Sequence, residues 1–333
     1  MSDDEIMSKK ILLWLSVIAL SCILLSGCLE EGTIDDKNSQ FNPDGNLVVI
    51  EGKEKYNHIQ EAIDAASDGD TIFVYNGIYI ETIVLNKSIN LVGETMAKPT
   101  ITYGESIGEN MAIIWITADN CTVNGFNIVY NITSPYEPAG IRTNSSNNII
   151  SNNTIMNITY GVYADRGSKN NLIEWNNILN NKYSIYLTST SHSNVTWNTI
   201  LNTSKYGIYL DHAYTNTISW NNISDGFYGI RLKGTTGNQI FRNILADNQY
   251  GMFFCCGAKV NTMFHNTFMR NDEANAVDAL DNQWDNGNAG NYWDDYTEKY
   301  PTAIQQGDVW DTPYKISQGE NIDRFPLVNP IQT

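Results

Sequence analysis

Two carboxylates and two cations occupy related positions of a motif that the chain repeats. Asp165 and Asp211 each lie five residues after the first tyrosine of a Tyr-Gly-x-Tyr phrase, and Lys233 takes that position in a later copy, next but one to Arg231. Asp165 and Asp211 belong to copies that are two repeats apart. If each copy is one strand of a sheet, with neighbouring strands about 4.8 Å apart, the two residues are about 9.6 Å apart. This is close to the carboxylate separation of inverting glycosidases. The four residues therefore give one hypothesis, a polysaccharide lyase or hydrolase.

An aromatic column runs beside these residues. Alternation along each strand predicts that one column of side chains points outward: Tyr163, Tyr186, Tyr209, Arg231 and Phe253. Aromatic faces and nearby charges suit sugar rings, whose apolar faces pack on aromatics while their hydroxyls form hydrogen bonds. The alternative is an aromatic ladder that only stiffens the face of a sheet. We prefer the binding hypothesis to catalysis, because any two acids on such a face have a comparable separation.

The elements that position these residues follow from the repeat itself. The phrase at 160–163 returns at 183, 206, 228 and 250, in steps of 22 or 23 residues, and apolar residues alternate within each copy, as at Ile208 and Leu210. A short fixed period is the mark of a solenoid, and alternation with period two indicates strands. Three short strands with their turns fill one copy. The sequence therefore predicts an all-β fold, a right-handed parallel β-helix of about 8–10 coils.

Polar columns keep the same period. One contains Asn153, Asn176, Asn198, Asn221, Asn243 and Asn266, and another contains Asn171, Asn194, Asn216, Asn238 and Asn261. Asparagine tolerates the left-handed backbone of tight turns, and equivalent side chains one coil apart can form hydrogen-bonded ladders.

A tryptophan column, Trp175, Trp197 and Trp220, precedes the first of these columns by one residue. Alternation does not fix its direction at a bend, and we favour core filling over a binding strip.

Caps are expected at both ends, because a solenoid exposes raw strand edges there. Asn57 to Ala66 predicts an N-terminal capping helix, with Asn57 as N-cap, Gln60 as its capping-box partner and an apolar face that includes Ile59 and Ile63. The boundaries that we expect are a β-helix over 45–270 and an irregular, acidic and aromatic C-terminal cap over 271–333.

At this point the chain resembles a known family. The segments that carry the resemblance are Ile59-Gln60-Glu61-Ala62-Ile63, Asp68-Gly69-Asp70-Thr71-Ile72, Ile89-Asn90-Leu91-Val92-Gly93, Trp284-Asp285-Asn286, Gly290-Asn291-Tyr292-Trp293-Asp294-Asp295-Tyr296, Asp311-Thr312-Pro313-Tyr314 and Asp323-Arg324-Phe325-Pro326-Leu327. They look like the pectin-lyase-like superfamily and, within it, the NosD-like surface proteins common in archaea. Arg231-Leu232-Lys233 is similar to the Arg-Ile-Lys of polygalacturonases, but the other motifs of those enzymes are missing.

The resemblance also implies copper as an alternative. Copper sites combine Met, Cys and His ligands, and Met252, Cys255, Cys256 and His265 lie within 14 residues of one another. Calcium is a second alternative, because the C-terminal segment is acidic and its carboxylates could supply oxygen ligands: Asp281, Asp285, Asp294, Asp295 and Asp308. The regular Asp-x-Asp-x-Asp-Gly spacing is missing. We therefore expect no cofactor, with solvated acids and ordinary strand positions for the sulfur residues.

The N-terminal segment predicts export. Lys9 and Lys10 precede an apolar run that ends in Leu25-Ser26-Gly27-Cys28, so residues 1–28 read as a signal peptide with a lipobox and Cys28 as the lipidated residue. An uncleaved transmembrane anchor is the alternative. Residues 29–44 are polar and acidic, which is typical of a tether.

The net charge of the chain limits the classes of partner that it can bind. The chain of 333 residues has a net charge of −17 and only 20 Lys and Arg residues, which argues against nucleic acid, since affinity for phosphate backbones needs basic clusters. The sequence thus predicts a membrane-anchored NosD-like protein on the outer face of the cell membrane. We expect it to bind carbohydrate or a cell-envelope polymer, with a polysaccharide lyase or hydrolase and a copper-binding accessory protein as alternatives.

Overall fold

The chain forms a parallel β-helix of about nine coils. The computed structural model describes residues 45–331, apart from 107, 109, 110, 133 and 166. Each regular coil contributes one short strand to each of three sheets, and equivalent strands of successive coils pair in parallel. The all-β fold class and the coil number expected from the repeat are confirmed.

The strands have the following bounds. Sheet A comprises Lys55–Tyr56, Val48–Ile50, Thr71–Val74, Asn90–Gly93, Thr122–Asn124, Ile149–Ser151, Leu172–Glu174, Asn194–Thr196, Thr217–Ser219, Gln239–Phe241 and Thr262–Phe264. Sheet B comprises Ile78–Ile80, Thr100–Thr102, Asn127–Val129, Thr154–Met156, Asn177–Leu179, Thr199–Leu201, Asn222–Ser224, Ile244–Ala246, Thr267–Met269 and Tyr292–Trp293. Sheet C comprises Ile83–Leu85, Ala112–Ile116, Ala139–Thr143, Tyr160–Ala164, Tyr183–Thr188, Tyr206–Asp211, Tyr228–Lys233, Tyr250–Cys255 and Ala274–Val277.

Aliphatic columns from the three sheets fill the interior. On sheet B, Ile178, Ile200, Ile223 and Leu245 occupy one register and are fully or almost fully buried. The inward column expected on sheet C is confirmed, with no solvent exposure for Val162, Ile185, Ile208, Ile230 and Met252. Each aliphatic side chain therefore packs against its equivalents one coil away, and burial of this apolar surface is the main stabilising term.

Asparagine ladders connect the coils at the corners. In the corner between sheets A and B, Nδ2 of Asn198 donates to Oδ1 of Asn221 at 2.9 Å, and Asn221 donates likewise to Asn243. The same side chains satisfy backbone groups, since Nδ2 of Asn221 also donates to the carbonyl of Val195. The ladder predicted from the repeat is confirmed here.

One member of the second asparagine column was assigned to the wrong residue. Asn194 is exposed and begins a strand of sheet A, while Ser193 is buried in the ladder position. Ser193 Oγ accepts from the backbone N–H of Asn171, and its own N–H donates to Asn216 Oδ1. The shift has a physical reason, because it keeps Val195 in the core.

The N-terminal cap is the helix α1, Ile59–Ala65, which begins two residues after the expected N-cap. His58 is the N-cap residue, and no side-chain hydrogen bond forms from it. Instead, the carboxylate of Glu81 accepts from the N–H groups of Ile59 and Gln60, at 2.9 and 3.0 Å. The prediction of Asn57 with a capping box is therefore wrong, whereas the predicted apolar face is buried.

The first coil contributes one strand to each sheet, Thr71–Val74, Ile78–Ile80 and Ile83–Leu85. Asn90–Gly93 then begins the second coil. The apolar run 123–129 is divided by a corner at Gly125, whose φ of 86° places it in the left-handed region. Residues on either side of this corner belong to different sheets.

The C-terminal segment closes the open end of the helix. The sheets continue past residue 270 through Ala274–Val277 and Tyr292–Trp293, after which come the short helix α2, Tyr296–Lys299, and two hairpins, Gln305–Gln306 with Val309–Trp310 and Tyr314–Lys315 with Ile322–Asp323. Trp293 stacks between Phe268 and Tyr314, with centroids 4.5 and 4.2 Å away. These rings cover the last apolar layer.

The N-terminal signal, the lipobox with Cys28 and the tether lie outside the described residues. Within 45–331 and its stated gaps, no helix is long and apolar enough to cross a membrane.

Candidate functional site

Each central strand of sheet C carries two tyrosine or related side chains on its outer face. In the strand Tyr160–Ala164, Gly161 and Val162 are both buried, so alternation is interrupted and Tyr160 and Tyr163 both face outward. A Cβ at Gly161 would lie 2.5 Å from the carbonyl oxygen of Ser184. Later copies place Ser184, Gly207, Gly229 and Gly251 at the same position. A small residue there allows adjacent coils to approach closely.

Two columns result, and together with Lys182 and Lys205 we call them the tyrosine face. The first column contains Tyr160, Tyr183, Tyr206, Tyr228 and Tyr250, and the second contains Tyr163, Tyr186, Tyr209, Arg231 and Phe253. The structure thus brings together the binding residues expected from the sequence in one register. It also adds the first column, which was missed. The signal was present, because a tyrosine opens every copy of the repeated phrase.

Most rings of the tyrosine face stack on one another along the helix axis, whereas Tyr206 is tilted by 40–49° to its neighbours. Tyr163 and Tyr186 lie 5.1 Å apart with planes within 8°, and Tyr160 and Tyr183 lie 4.7 Å apart within 12°. The two columns also touch, since Tyr160 stacks on Tyr163 at 5.0 Å. Ring faces inside the stack are therefore covered by neighbouring rings. Tyr183, Tyr206 and Tyr209 keep only 8–9% of their surface exposed, and the partly buried rings around them include Tyr160, Tyr186 and Tyr228. The face therefore offers its hydroxyl groups for hydrogen bonds and leaves little ring surface on which a sugar can pack.

Charged side chains are interleaved with the rings. Lys182 Nζ lies 2.5 Å from Glu137 Oε1, and Tyr160 donates its hydroxyl to the same carboxylate at 3.1 Å. The hydrogen bond from Lys182 is the main reason that the pKa of Glu137 is lowered. Lys205 Nζ donates to the hydroxyl oxygen of Tyr183 at 3.1 Å. Burial raises the pKa of Tyr160, so this phenol remains protonated and can donate a hydrogen bond.

The carboxylates proposed for catalysis are both engaged in ion pairs. Asp165 pairs with Arg142, and Asp211 lies 3.5 Å from Lys233 Nζ. Asp211 also accepts from the hydroxyl of Tyr186 at 3.1 Å. The structure places Asp211 and Lys233 in register on adjacent strands, while Asp165 follows a strand two coils earlier. These contacts orient the edge of the tyrosine face.

A cleft lies at one end of the tyrosine face, beside a long loop. Residues 130–138 connect sheets B and C here, whereas only 180–182 make the equivalent connection in a later coil. The cleft has a volume of about 380 Å³ and is lined by Met111, Pro135, Tyr136, Glu137, Ala139, Arg142, Tyr160 and Tyr163. It combines tyrosine hydroxyls, a carboxylate and a guanidinium, which are groups that hydrogen-bond to polyols.

The residues considered for copper binding do not point toward a common site. Met252 is fully buried in the core, whereas Cys255 faces outward from the same strand and Cys256 is exposed. His265 lies at a corner with φ of 56°, where its ring contacts Phe264 edge to face. Within the part of the chain that the structure describes, no three His, Cys, Asp or Glu residues are grouped so as to hold a metal ion. These residues do not fit a copper site.

The acidic residues considered for calcium binding do not share a site, because those with contacts each bind a different partner. Asp285 forms two hydrogen bonds with the guanidinium of Arg324, at 2.9 and 2.5 Å. Asp295 pairs with Lys299 at 2.7 Å, and Asp294 accepts from the N–H of Arg270. Asp281 and Asp308 are exposed.

The tryptophan column faces solvent, so core filling, the interpretation that we favoured, is wrong. Trp175, Trp197 and Trp220 have φ between 55° and 57° and stack with centroids 4.9 and 4.6 Å apart. Trp175 is 52% exposed. The left-handed corner turns each side chain away from the interior, which alternation along a strand could not show. The guanidinium of Arg242 continues the stack over Trp220, at 4.7 Å.

Comparison with known proteins gives one family match and several distant structural similarities. The family described as periplasmic copper-binding protein (NosD) matches residues 63–298. No curated protein matches the chain.

Three solved structures illustrate the structural similarities. Tailspike protein 2 from a bacteriophage of Escherichia coli O157:H7 is 12% identical over 69% of this chain, with a TM-score of 0.44. The chain spans only 37% of that tailspike. The A-module of an Azotobacter vinelandii mannuronan C-5 epimerase is 12% identical, with a TM-score of 0.39 over 68% of this chain and 90% of its own. A mutant of the periplasmic alginate epimerase AlgG is 15% identical, with a TM-score of 0.42 over 64% and 65% of the two chains.

Proposed function

The chain belongs to the NosD family, and from that membership we propose that it is an exported protein whose tyrosine face binds a carbohydrate or cell-envelope polymer. One observation carries the proposal. Two columns of stacked tyrosines and interleaved cations present hydroxyl and ammonium groups along several coils, and they end in a cleft of about 380 Å³. Such an array provides repeated hydrogen-bond donors and acceptors at the coil spacing of about 4.8 Å.

The extended form of the tyrosine face favours a polymer over a small ligand. The equivalent groups of adjacent coils, such as Tyr163 and Tyr186, lie side by side along the axis, so a chain with repeated hydroxyl groups can engage several coils at once. Each hydrogen bond contributes little by itself, but linked contacts add up to useful affinity.

Hydroxyl removal tests the proposal without dismantling the stack. The double variant Tyr183→Phe/Tyr186→Phe keeps both rings and removes two hydroxyls, each of which takes part in a hydrogen bond. We expect its affinity for the envelope polysaccharide of the producing organism to fall about 30-fold, since two hydrogen bonds are lost and each is worth about 1 kcal/mol. Tyr214→Phe, at a tyrosine 40% exposed outside the two columns, is the matched control and should bind normally. Unchanged affinity of the double variant, or no binding by the wild type, refutes the proposal.

Export and anchoring belong to the same proposal. The support is the lipobox at Leu25-Ser26-Gly27-Cys28 after an apolar run, together with the periplasmic location in the description of the family. We expect Cys28→Ala to move the protein from the membrane fraction to the soluble exported fraction. Retention of the variant in the membrane would favour the uncleaved anchor.

The alternatives have less support from the described residues. A lyase or hydrolase needs an acid or base that is free to exchange a proton with substrate, whereas Asp165 and Asp211 are held in ion pairs. The copper-binding role in the family's description needs a ligand set that Met252, Cys255, Cys256 and His265 do not provide in this arrangement. Release of unsaturated or reducing ends from the bound polymer would support catalysis over binding alone.

A further inference from the structure

The tyrosine face is cationic on a protein that is otherwise strongly acidic. Lys182 and Lys205 lie on adjacent coils, because the N–H of Lys205 donates to the carbonyl of Lys182, and Arg231 follows on the next coil. The chain as a whole has a net charge of −17. Cations gathered on one face of such a chain create a local field that attracts anions.

Rings and cations alternate along this line. Lys182 Nζ lies 5.2 Å from the ring centroid of Tyr183, and Lys205 Nζ lies 5.3 and 5.1 Å from the centroids of Tyr183 and Tyr206. The guanidinium of Arg231 then lies 5.3 Å from Tyr206 and 4.9 Å from Tyr228. The three cations therefore form a ladder with roughly one positive charge per coil.

Two members of the cation ladder form no direct ion pair with a carboxylate in the described part of the chain. Lys182 is neutralised by Glu137, whereas Lys205 donates to the phenol oxygen of Tyr183 and Arg231 donates to the sulfur of Cys255, at 3.4 Å. The Nε of Arg231 is a buried donor without a hydrogen-bond partner among the described residues. A guanidinium has five N–H donors, so Arg231 retains donors beyond the one that bonds to Cys255.

We infer that the polymer bound by the tyrosine face is an acidic polysaccharide with a carboxylate on its sugar rings, and that Lys205 and Arg231 bind those carboxylates. The inference rests on the proposed carbohydrate-binding function and specifies its ligand. A polymer with one carboxylate per ring can bring one carboxylate to Lys205 and another to Arg231, which lie on adjacent coils. Ion pairing at a partly buried guanidinium provides selectivity over neutral polymers, because a neutral chain leaves the cations without partners.

Polygalacturonate and its fully methyl-esterified form test this inference, because they share one backbone and esterification removes the charge of every carboxylate. We expect the wild type to bind polygalacturonate at least tenfold more tightly than the ester, and this preference should shrink as salt is added. Lys205→Gln should reduce affinity for the acid about fivefold and reduce affinity for the ester by a much smaller factor. Arg231→Lys, which keeps the charge but changes the donors, should have a smaller effect than Arg231→Gln.

Controls separate this inference from the proposal on which it rests. Lys169→Gln removes an exposed lysine outside the tyrosine face and should retain full preference for the acid, and thermal melts should show that each variant is folded. Equal binding of acid and ester, or an unchanged preference in Lys205→Gln, overturns the inference and leaves carbohydrate binding intact. Failure to bind either polymer or the envelope polysaccharide overturns both.

Discussion

Tyr186 and Tyr209 stack face to face on adjacent strands of sheet C, with ring centroids 4.9 Å apart and planes within 3° of parallel. Their separation equals the coil spacing of a β-helix, which is too small for a sugar ring to enter. The stack is therefore part of the structure as well as of the proposed site. Variants that remove a ring test stability, whereas variants that remove a hydroxyl test binding.

Loss of the Tyr186 ring should destabilise the fold more than loss of its hydroxyl. Tyr186→Ala removes stacking with Tyr163 and Tyr209 and partly buried apolar surface, so we expect a loss of about 2 kcal/mol in the free energy of unfolding. Tyr186→Phe loses only the hydrogen bond to Asp211, which is worth about 1 kcal/mol or less. Chemical denaturation of both variants measures the difference. Equal destabilisation would show that the stack contributes nothing beyond the hydroxyl.

Adjacent asparagines should respond very differently to truncation. Asn221 is buried, donates to Val195 and Asn243, and accepts from Asn198. Asn221→Ala leaves several buried polar groups without partners, and we expect a loss of at least about 3 kcal/mol. Asn222→Ala, at the exposed next residue, should change stability by less than about 0.5 kcal/mol. Similar melting curves for the two variants would contradict the structural role of the ladder.

The repeat explains why these ladders were predictable and other features were not. The period placed Asn198, Asn221 and Ile200 correctly, because columns one coil apart need only the spacing. The first tyrosine column was missed because the alternation rule assumes a regular strand, and the buried residue after each of these tyrosines interrupts it. The cap that Glu81 provides to α1 involves a residue more than 20 positions away in the chain. Local motifs near Asn57 cannot reveal such a contact.

Stability of the C-terminal cap should depend on the ionisation of Asp323. Burial raises the pKa of Asp323 to about 7, although N–H donors from Asn291, Trp293 and Phe325 favour its charged form. The folded chain therefore holds this proton more tightly than the unfolded chain, in which the pKa is about 3.9. The stabilisation is fully present below about pH 4 and is lost as pH rises through 7, on the order of 4 kcal/mol.

Asp323→Asn isolates this contribution, because the amide does not titrate. The variant should be less stable at every pH, since its NH₂ group faces N–H donors, but it should lack the loss of stability between pH 4 and 8 that Asp323 causes. The measurement is the free energy of unfolding of both proteins across this range. A wild type and variant with parallel pH profiles would show that Asp323 does not titrate there.

The tryptophan column should be replaceable without a large change in stability. Trp197 occupies a left-handed conformation with φ of 56°, which is unfavourable for a bulky side chain and acceptable for asparagine. In Trp197→Asn, relief of this strain offsets much of the lost stacking with Trp175 and Trp220, and we expect a net change below about 1 kcal/mol. Thermal denaturation measures it. A loss above 2 kcal/mol would show that the column is mainly a stabilising element.

Hydroxyl-radical footprinting with mass spectrometry, with and without polygalacturonate, tests the central claim most directly. The side chains of the tyrosine face, including Tyr160, Tyr163 and Tyr186, should become protected when the polymer binds. Trp175 and Tyr75, which are exposed outside the two tyrosine columns, should react at the same rate in both samples. Protection of the tryptophan column with an unchanged tyrosine face would contradict the account and place the binding surface at the corner between sheets A and B.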